Sequence, residues 1–146
     1  MHVESKIIIS KPAMEVWNFF SNPDNFKRWL SGFINLVQVS GTAGTVGARS
    51  KHYYHELGKD IILDEEIIEV VPGKKFSSML TSSMMDSNIV AVFNETGNEQ
   101  TEFSISSDTK FKGFLWKQIG PLMKGEFKKR QEADLRKLKQ VIEEKS

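Results

Sequence analysis

The most constraining feature of the sequence is a change of hydrophobic period close to Gly113. Before it, apolar and polar side chains alternate in several short runs, which is typical of strands in an antiparallel sheet. After it, apolar side chains recur at spacings of three and four, which predicts one long helix as far as about Glu144. Pro121 and Gly125 lie inside that helix, so we expect a bend or a broken turn there. The apolar positions of this helix are Leu115, Ile119, Leu122, Met123, Phe127, Leu135, Leu138 and Ile142.

The N-terminal part predicts one strand followed by two short helices. Residues 3–10 are rich in β-branched side chains and are predicted to be a strand. Ser10 is expected to cap a helix whose first turn contains Pro12. The sequence Ser21-Asn22-Pro23-Asp24 ends that helix and can cap a second one over residues 25–30. A strand over residues 33–39 is expected next.

The middle of the chain predicts a hairpin whose turn is Gly58-Lys59, between strands over residues 48–57 and 60–71. With that turn, one face of the hairpin is mostly apolar and the other is charged. The facing pairs are then Ser50–Ile67, His52–Glu65 and Tyr54–Leu63 on the apolar face, and Lys51–Glu66 on the outer face, with Arg49.

Pro72-Gly73 predicts another turn, followed by a strand over residues 76–82. A last hairpin is predicted from strands over residues 89–95 and 100–109, with Gly97-Asn98 as its turn. That turn predicts an apolar face with the pairs Val90–Ile105, Val92–Phe103 and Asn94–Thr101, and an opposite face with Ala91–Ser104 and Phe93–Glu102.

Length and composition limit the class of protein. The 146 residues suit one domain with a sizeable core, and the hydrophobic fraction of 39% is ordinary for a globular chain. No apolar run is long enough to cross a bilayer, and the start is too polar for a secretory signal, so we expect a cytoplasmic protein. The absence of cysteine excludes thiol catalysis and thiolate metal sites. His52 and His55 would point to opposite faces of a strand, so we expect no metal and no cofactor.

Charge is distributed unevenly along the chain. Residues 110–146 hold eleven Lys or Arg against five Asp or Glu, whereas the remaining residues hold nine against fourteen. A basic segment can indicate nucleic acid or an acidic membrane surface as a partner. We interpret it instead as a solvated helix face lying against a more acidic body, because no nucleic-acid motif is present. We therefore expect neither a nucleic-acid partner nor membrane insertion.

Five short motifs carry a resemblance to a known family. They are ISKPAMEVW at residues 9–17, NPDNFKRW at 22–29, VGAR at 46–49, IIEVVPG at 67–73 and LRKLK at 135–139. In their order and spacing the chain resembles the START-like (SRPBCC) helix-grip superfamily, and within it the polyketide cyclase/dehydratase-like branch. The resemblance implies an α+β fold in which a curved antiparallel sheet of six or seven strands wraps around a long C-terminal helix. It also implies a single domain over residues 1–146, with two short helices after the first strand.

A curved sheet that grips one helix leaves a hollow between them, and we expect the functional residues to lie there. His52 and Glu65 are the candidate acid and base, and Tyr54 can donate a hydrogen bond to a carbonyl oxygen. The alternatives are that His52 and Glu65 orient a ligand without chemistry, or that they only satisfy each other's hydrogen bonds. Trp29 and Phe33 are placed at the mouth, because the second short helix resembles a lid in this superfamily. The predicted ligand-binding residues are Trp29, Phe33, His52, Tyr54, Glu65, Ile67, Val90, Val92, Asn94, Phe103, Trp116, Ile119 and Met123.

Three functions agree with this architecture. The first, implied by the resemblance, is binding of a hydrophobic small molecule such as a lipid, sterol or polyketide. The second is a cyclase or dehydratase that uses His52 and Glu65 for proton transfer. The third is a protein-interaction module similar to the activators of a chaperone ATPase, with a filled interior. The state of the interior separates them, and we expect a monomer or a weak homodimer.

Overall fold

The computed structural model describes residues 1–56 and 58–144 of the chain. Its seven strands are β1 (His2–Ile9), β2 (Phe33–Ser40), β3 (Arg49–Glu56), β4 (Lys59–Val71), β5 (Lys75–Thr81), β6 (Met85–Gly97) and β7 (Gln100–Phe111). They form one antiparallel sheet in the order β1-β7-β6-β5-β4-β3-β2. The first strand therefore pairs with the last, and β1 and β2 are the two edge strands of the sheet.

Two short helices follow β1, and a helical segment of 31 residues ends the described chain. The helices are α1 (Ala13–Phe20), a 3-10 turn (Pro23–Asn25), α2 (Phe26–Trp29), α3 (Phe114–Ile119), a 3-10 turn (Gly120–Met123) and α4 (Lys124–Glu144). This is the predicted helix-grip arrangement, and the expected bend is the 3-10 turn that contains Pro121. No helix in the described ranges is long and apolar enough to cross a membrane.

One of the two predicted helix caps is present. The side chain of Asn22 accepts a hydrogen bond of 3.1 Å from the backbone N–H of Asp24, as expected for the start of the second helical segment. Ser10 does not cap α1, so that prediction is wrong. The N-cap position is Pro12, and the backbone N–H of Ser10 instead donates to the carboxylate of Glu143 on α4.

The core lies at one end of the sheet. α4 packs along β1, and α1 packs on β6 and β7. The side chains of Ile9, Phe103 and Leu138 are fully buried in this layer. The ring of Phe103 meets that of Phe93 edge-on at 5.0 Å, which is a favoured aromatic geometry. α4 makes its most extensive strand contact with β1, so this core is concentrated at the β1 end of the sheet.

The β3–β4 hairpin pairs two residues away from the predicted register. His52 faces Leu63 rather than Glu65, and Lys51 faces Asp64 rather than Glu66. The hairpin closes at the pair Glu56–Lys59, so Lys59 belongs to β4 and not to the turn. Leu57, the predicted end of the first strand, lies outside the described residues. Because the shift is even, every side chain stays on its predicted face.

The β6–β7 hairpin pairs one residue away from the predicted register, and here the faces change. Phe93 faces Phe103, and Ala91 faces Ile105. The hairpin closes at Gly97–Gln100, and a register shift between Glu95 and Gly97 takes up one extra residue. A single extra residue turns the whole strand over, because side chains alternate between faces. Val90, Val92 and Asn94 therefore lie on the outer face, and their predicted inward placement is wrong.

Candidate functional site

A partly enclosed cavity of about 340 Å³ lies between the concave face of the sheet, the short helices and α4. Most of its wall is apolar. The apolar lining includes Trp17, Phe20, Phe26, Trp29, Leu36, Leu63, Ile67, Phe76, Leu80, Ile89, Ile105 and Phe127. A volume in this range belongs to the lower end of small-molecule sites, which occupy about 300–1,000 Å³.

The two-residue period of the strands builds the wall. Alternate residues of a strand point to one face, so every second position reaches the cavity. The lining positions are Ser50, His52 and Tyr54 on β3, Leu63, Glu65 and Ile67 on β4, Phe76, Ser78 and Leu80 on β5, Met85, Ser87 and Ile89 on β6, and Ile105, Ser107 and Thr109 on β7.

An irregularity in β4 changes this phase within the strand. The pairing with β5 shifts between Ile67 and Glu69, which places an extra residue in β4. As a result, odd-numbered residues of β4 line the cavity as far as Ile67, and the next residue of β4 that lines it is the even-numbered Val70. The bulge lets one strand of 13 residues follow the curve of the sheet while it keeps apolar side chains inside.

The main polar group of the cavity is formed by His52, Glu65 and Ser50. His52 Nε2 lies 3.3 Å from Glu65 Oε1 and 3.1 Å from Ser50 Oγ. The exposed fractions of the His52 and Glu65 side chains are only 6% and 13%. The imidazole packs beside two aromatic rings that also contact each other, those of Phe26 at 6.2 Å and Phe33 at 6.1 Å. This packing holds the ring in place, so the pair presents a defined hydrogen-bonding edge to the cavity.

Tyr54 forms a second polar position with Arg130 of α4. Burial raises the pKa of the Tyr54 phenol well above its ordinary value, and the nearby Arg130 guanidinium only partly opposes this. The guanidinium carbon lies 5.7 Å from the centre of the Tyr54 ring. The phenol therefore stays protonated across the physiological range and can donate a hydrogen bond.

Arg130 and Asp134 also attach α4 to the rim of the cavity. Arg130 Nη1 lies 2.5 Å from Glu56 Oε2, and its Nη2 donates to the Ser31 carbonyl oxygen at 3.0 Å. The hydroxyl and the backbone N–H of Ser31 both donate to Asp134. Burial raises the pKa of the Asp134 carboxyl, although the hydrogen bond from the Ser31 hydroxyl and the charge of Arg130 act against it. These contacts hold one side of the opening together.

Hydroxyl groups occur on the rest of the wall. Ser87 Oγ and Thr109 Oγ1 lie 2.9 Å apart on neighbouring strands. The Ser5 hydroxyl donates to the side-chain oxygen of Gln131, a lining residue of α4, at 2.6 Å. A polar ligand group in this part of the cavity would therefore meet hydroxyls rather than charges. Within residues 1–56 and 58–144, no group of three or more His, Asp or Glu side chains is arranged to hold a metal ion.

The structure brings some of the predicted site residues together. Trp29, His52, Tyr54, Glu65 and Ile67 all line the cavity. Phe33 is absent from the described cavity wall. Its ring packs behind the wall, 5.4 Å from the ring of Tyr54 and 6.1 Å from that of His52. The predicted placement of His52, Tyr54, Glu65 and Ile67 depended on the β3–β4 faces, which the even register shift preserved.

Other predicted site residues lie elsewhere. Phe103 belongs to the core between the sheet and α1, where no side-chain surface is exposed. Val90, Val92 and Asn94 lie on the outer face of β6, as described above. Trp116, Ile119 and Met123, which lie in α3 and the 3-10 turn before α4, are absent from the described cavity wall. Phe127, four residues further along, lines the cavity instead.

Several lining residues were missed from the sequence. Ser78, Ser87, Ile89 and Thr109 all face the cavity. For Ser87 and Ile89 on β6, only the correct hairpin register shows which face is inside, and the Glu95–Gly97 irregularity that sets it is not visible as a hydrophobic pattern. Ser78 on β5 and Thr109 on β7 are small polar residues, which an apolar pattern does not single out.

Comparison with known proteins supports the architecture. A START superfamily protein from Mycobacterium smegmatis superposes with a TM-score of 0.83 at 11% identity, over 99% of both chains. A protein from Thermus thermophilus has a TM-score of 0.81 at 17% identity, over 100% of this chain and 99% of that one. The Zhui aromatase/cyclase from Streptomyces sp. R1128 has a TM-score of 0.81 at 11% identity, over 98% and 93%. At such identities the likeness shows the fold.

No curated protein matches the sequence. A family model described as "Polyketide cyclase / dehydrase and lipid transport" matches residues 1–143. Because that match spans nearly the whole chain, the chain belongs to the polyketide cyclase/dehydrase and lipid transport family.

Proposed function

We propose that the chain binds a hydrophobic small molecule in its cavity and that the His52–Glu65 pair holds the polar end of that molecule. The observation that carries this proposal is a mostly apolar cavity of about 340 Å³ whose wall includes the buried ion-pairing side chains of His52 and Glu65. Burial of apolar ligand surface provides the driving force. The few polar side chains then determine which functional group, such as a hydroxyl or carbonyl, is accepted.

The hollow interior favours binding over the third hypothesis, a protein-interaction module with a filled interior. The side chains of Leu63, Phe76 and Ile105 on the concave face line the cavity. Empty apolar space weakens packing, because the lining atoms lose dispersion contacts. A hydrophobic ligand would restore these contacts, which supports a binding role.

The first experiment is mass spectrometry of the purified protein under native and then denaturing conditions. We expect a co-purifying hydrophobic mass that is lost on unfolding. The same protein is then titrated with the fluorescent probe 1-anilinonaphthalene-8-sulfonate. Ile89→Trp, which fills the cavity from β6, should weaken probe binding by about tenfold or more, equivalent to about 1.4 kcal/mol.

Val90→Trp is the matched control, because Val90 is the adjacent residue and lies on the outer face. It should bind the probe like the unmodified protein. Equal probe binding by Ile89→Trp and the unmodified protein would show that the cavity is not the binding site. A clean apoprotein that also fails to bind the probe would contradict the proposal.

A cyclase or dehydratase activity is the second candidate, and the 3.3 Å contact between His52 and Glu65 supports it. In that role His52 takes a proton from the carbon between two ligand carbonyls, and Glu65 stabilises the imidazolium that forms. Turnover of a poly-β-keto thioester should then be abolished by Glu65→Gln, while probe binding continues. If turnover survived the substitution, this acid–base role would be wrong.

A further inference from the structure

The segment at the bend of the C-terminal helix exposes large apolar side chains. Phe114 is 80% exposed and Leu122 is 84% exposed, the highest values for large apolar side chains in the described part of the chain. Leu115 and Ile119 are exposed as well, and with Leu122 they follow helical spacings of four and three. These residues continue the apolar stripe of the helix, and the described chain leaves most of the surface of Phe114, Leu115 and Leu122 uncovered. Contiguous exposed apolar surface of this kind marks an interaction site.

The same segment carries a surplus of positive charge. Residues 110–130 contain seven Lys or Arg and one acidic residue, Glu126. Lys112 is paired with Asp86 at 2.8 Å, and Arg130 is paired with Glu56. In the described chain no acidic side chain forms an ion pair with Lys110, Lys117 or Lys124, and all three are exposed. The exposed apolar stripe is therefore bordered by uncompensated positive charges.

From these two observations we infer that residues 110–124 dock the protein onto an anionic lipid surface. Exposed Phe and Leu side chains enter the boundary between headgroups and acyl chains, and Lys side chains contact acidic headgroups. Only 10 helical residues lie between Phe114 and Met123, so the segment lies in the interface and does not span the bilayer. A second copy of the chain is a poorer occupant, because it would bring the same positive charge to the contact.

The docking segment is connected to the cavity by two aromatic rings. A Cβ atom on Gly120 would lie 2.5 Å from the ring of Phe111, so the segment packs closely there. The Phe111 ring lies 6.4 Å from that of Phe127, which lines the cavity. Docking would therefore place the cavity wall next to a source of hydrophobic molecules. This last step rests on the proposed function, whereas the docking itself does not.

The test is sedimentation of the full-length protein with vesicles of pure phosphatidylcholine and of equal parts phosphatidylcholine and phosphatidylserine. We expect binding only to the mixed vesicles, with affinity falling as salt is added. Phe114→Ser/Leu122→Gln and Lys117→Glu/Lys124→Glu should each weaken binding by about tenfold or more. The matched controls are Val39→Gln/Val46→Gln and Lys27→Glu/Lys74→Glu, which change exposed residues outside the segment and should leave binding unchanged.

Trp116 provides a second readout within the segment, since Trp17 and Trp29 are buried. Brominated lipid should quench the fluorescence of the unmodified protein on mixed vesicles, and Trp116→Phe should remove that quenching. Absence of binding to mixed vesicles, or binding that the segment variants leave unchanged, would overturn the inference. So would a concentration-dependent dimer that Phe114→Ser/Leu122→Gln abolishes without any vesicle binding. Probe binding in the cavity should be unaffected by that variant, so failure of docking is distinguishable from failure of the proposed function.

Discussion

His52 Nε2 lies 3.3 Å from Glu65 Oε1, although the two residues do not face each other across the β3–β4 ladder. The residue opposite His52 is Leu63, and the residue opposite Glu65 is Ser50. His52 and Glu65 are thus diagonal neighbours on one face, a separation that long side chains can bridge. The pair is consequently oriented along the cavity wall, with Ser50 as its third member.

Loss of His52 should destabilise the fold. His52→Leu leaves the Glu65 carboxylate in the wall without its partner, and we expect a cost of about 1–3 kcal/mol in the free energy of unfolding. The control is His55→Leu on the same strand, whose imidazole is exposed and bonded to Asp60; it should cost less than about 0.5 kcal/mol. Urea denaturation at neutral pH measures both, and equal costs would contradict a stabilising role for the pair.

Phe103 should be among the most sensitive positions of the core. Its side chain is fully buried, and its ring contacts those of Phe93 and Phe20 at 5.0 and 5.6 Å. Phe103→Ala should therefore cost about 3–5 kcal/mol through lost burial and cavity formation. Val92→Ala, on the outer face of the neighbouring strand, should cost less than about 1 kcal/mol. Denaturant unfolding measures both variants. A large loss of stability for Phe103→Ala alone identifies Phe103 as a core residue and not as a ligand contact.

Two glycines in the helical segment should respond in opposite directions to alanine. At Gly120 a Cβ would lie 2.5 Å from the Phe111 ring, so Gly120→Ala should destabilise by about 1–3 kcal/mol. At Gly125 no atom lies within 4 Å of the added Cβ, and α4 gains from a better helix former. Gly125→Ala should therefore stabilise by up to about 1 kcal/mol. A stable Gly120→Ala variant would show that the contact with Phe111 is not required.

The contact between Glu143 and the end of β1 should make stability depend on pH. Burial acts to raise the pKa of the Glu143 carboxyl, but the hydrogen bonds from Lys139 and from the Ser10 N–H outweigh it, so the folded-state pKa lies below the ordinary 4.5. A lowered carboxyl pKa stabilises the fold above the unfolded value, and the stabilisation is lost as the pH falls through the folded value. Glu143→Gln should therefore cost up to about 1 kcal/mol at neutral pH, limited by solvent screening.

Thermal unfolding across the acid range checks this prediction. The difference in Tm between Glu143→Gln and the unmodified protein should shrink as the pH falls below 4.5. Glu144→Gln is the neighbouring control, because Glu144 is exposed and contacts only the Gln140 side chain in the described chain. A constant difference between Glu143→Gln and the unmodified protein at all pH values would contradict the linkage.

The sequence predicted the architecture well because hydrophobic period is a local property. Alternation in the strands and the three-and-four spacing of the last helix are both readable residue by residue. The bend at Pro121 was predicted for the same reason, since proline disturbs a helix wherever it stands. The faces of β3 and β4 were also correct, which is why His52, Tyr54 and Glu65 were placed on the cavity side.

The register of β6–β7 could not be derived in this way. Gly97-Asn98 is a plausible hairpin turn, but the irregularity beside Gly97 moved the pairing by one residue. One residue is enough to exchange Val92 for Phe93 at the inner face. The predicted binding role of Val90, Val92 and Asn94 depended on the predicted register, which differs by one residue from the observed one.

By itself, the sequence determined which residues share a face within a regular stretch of one strand or helix, because this depends on the period of neighbouring side chains. Only the tertiary structure decided which face encloses the cavity and which apolar side chains remain outside. α4 packs along β1, and the segment before it turns away at Gly120 against Phe111. Leu115 and Leu122 therefore stay exposed despite their helical spacing. Long-range packing determines this exposure, because no local sequence pattern encodes the distance between a helix and the far side of a curved sheet.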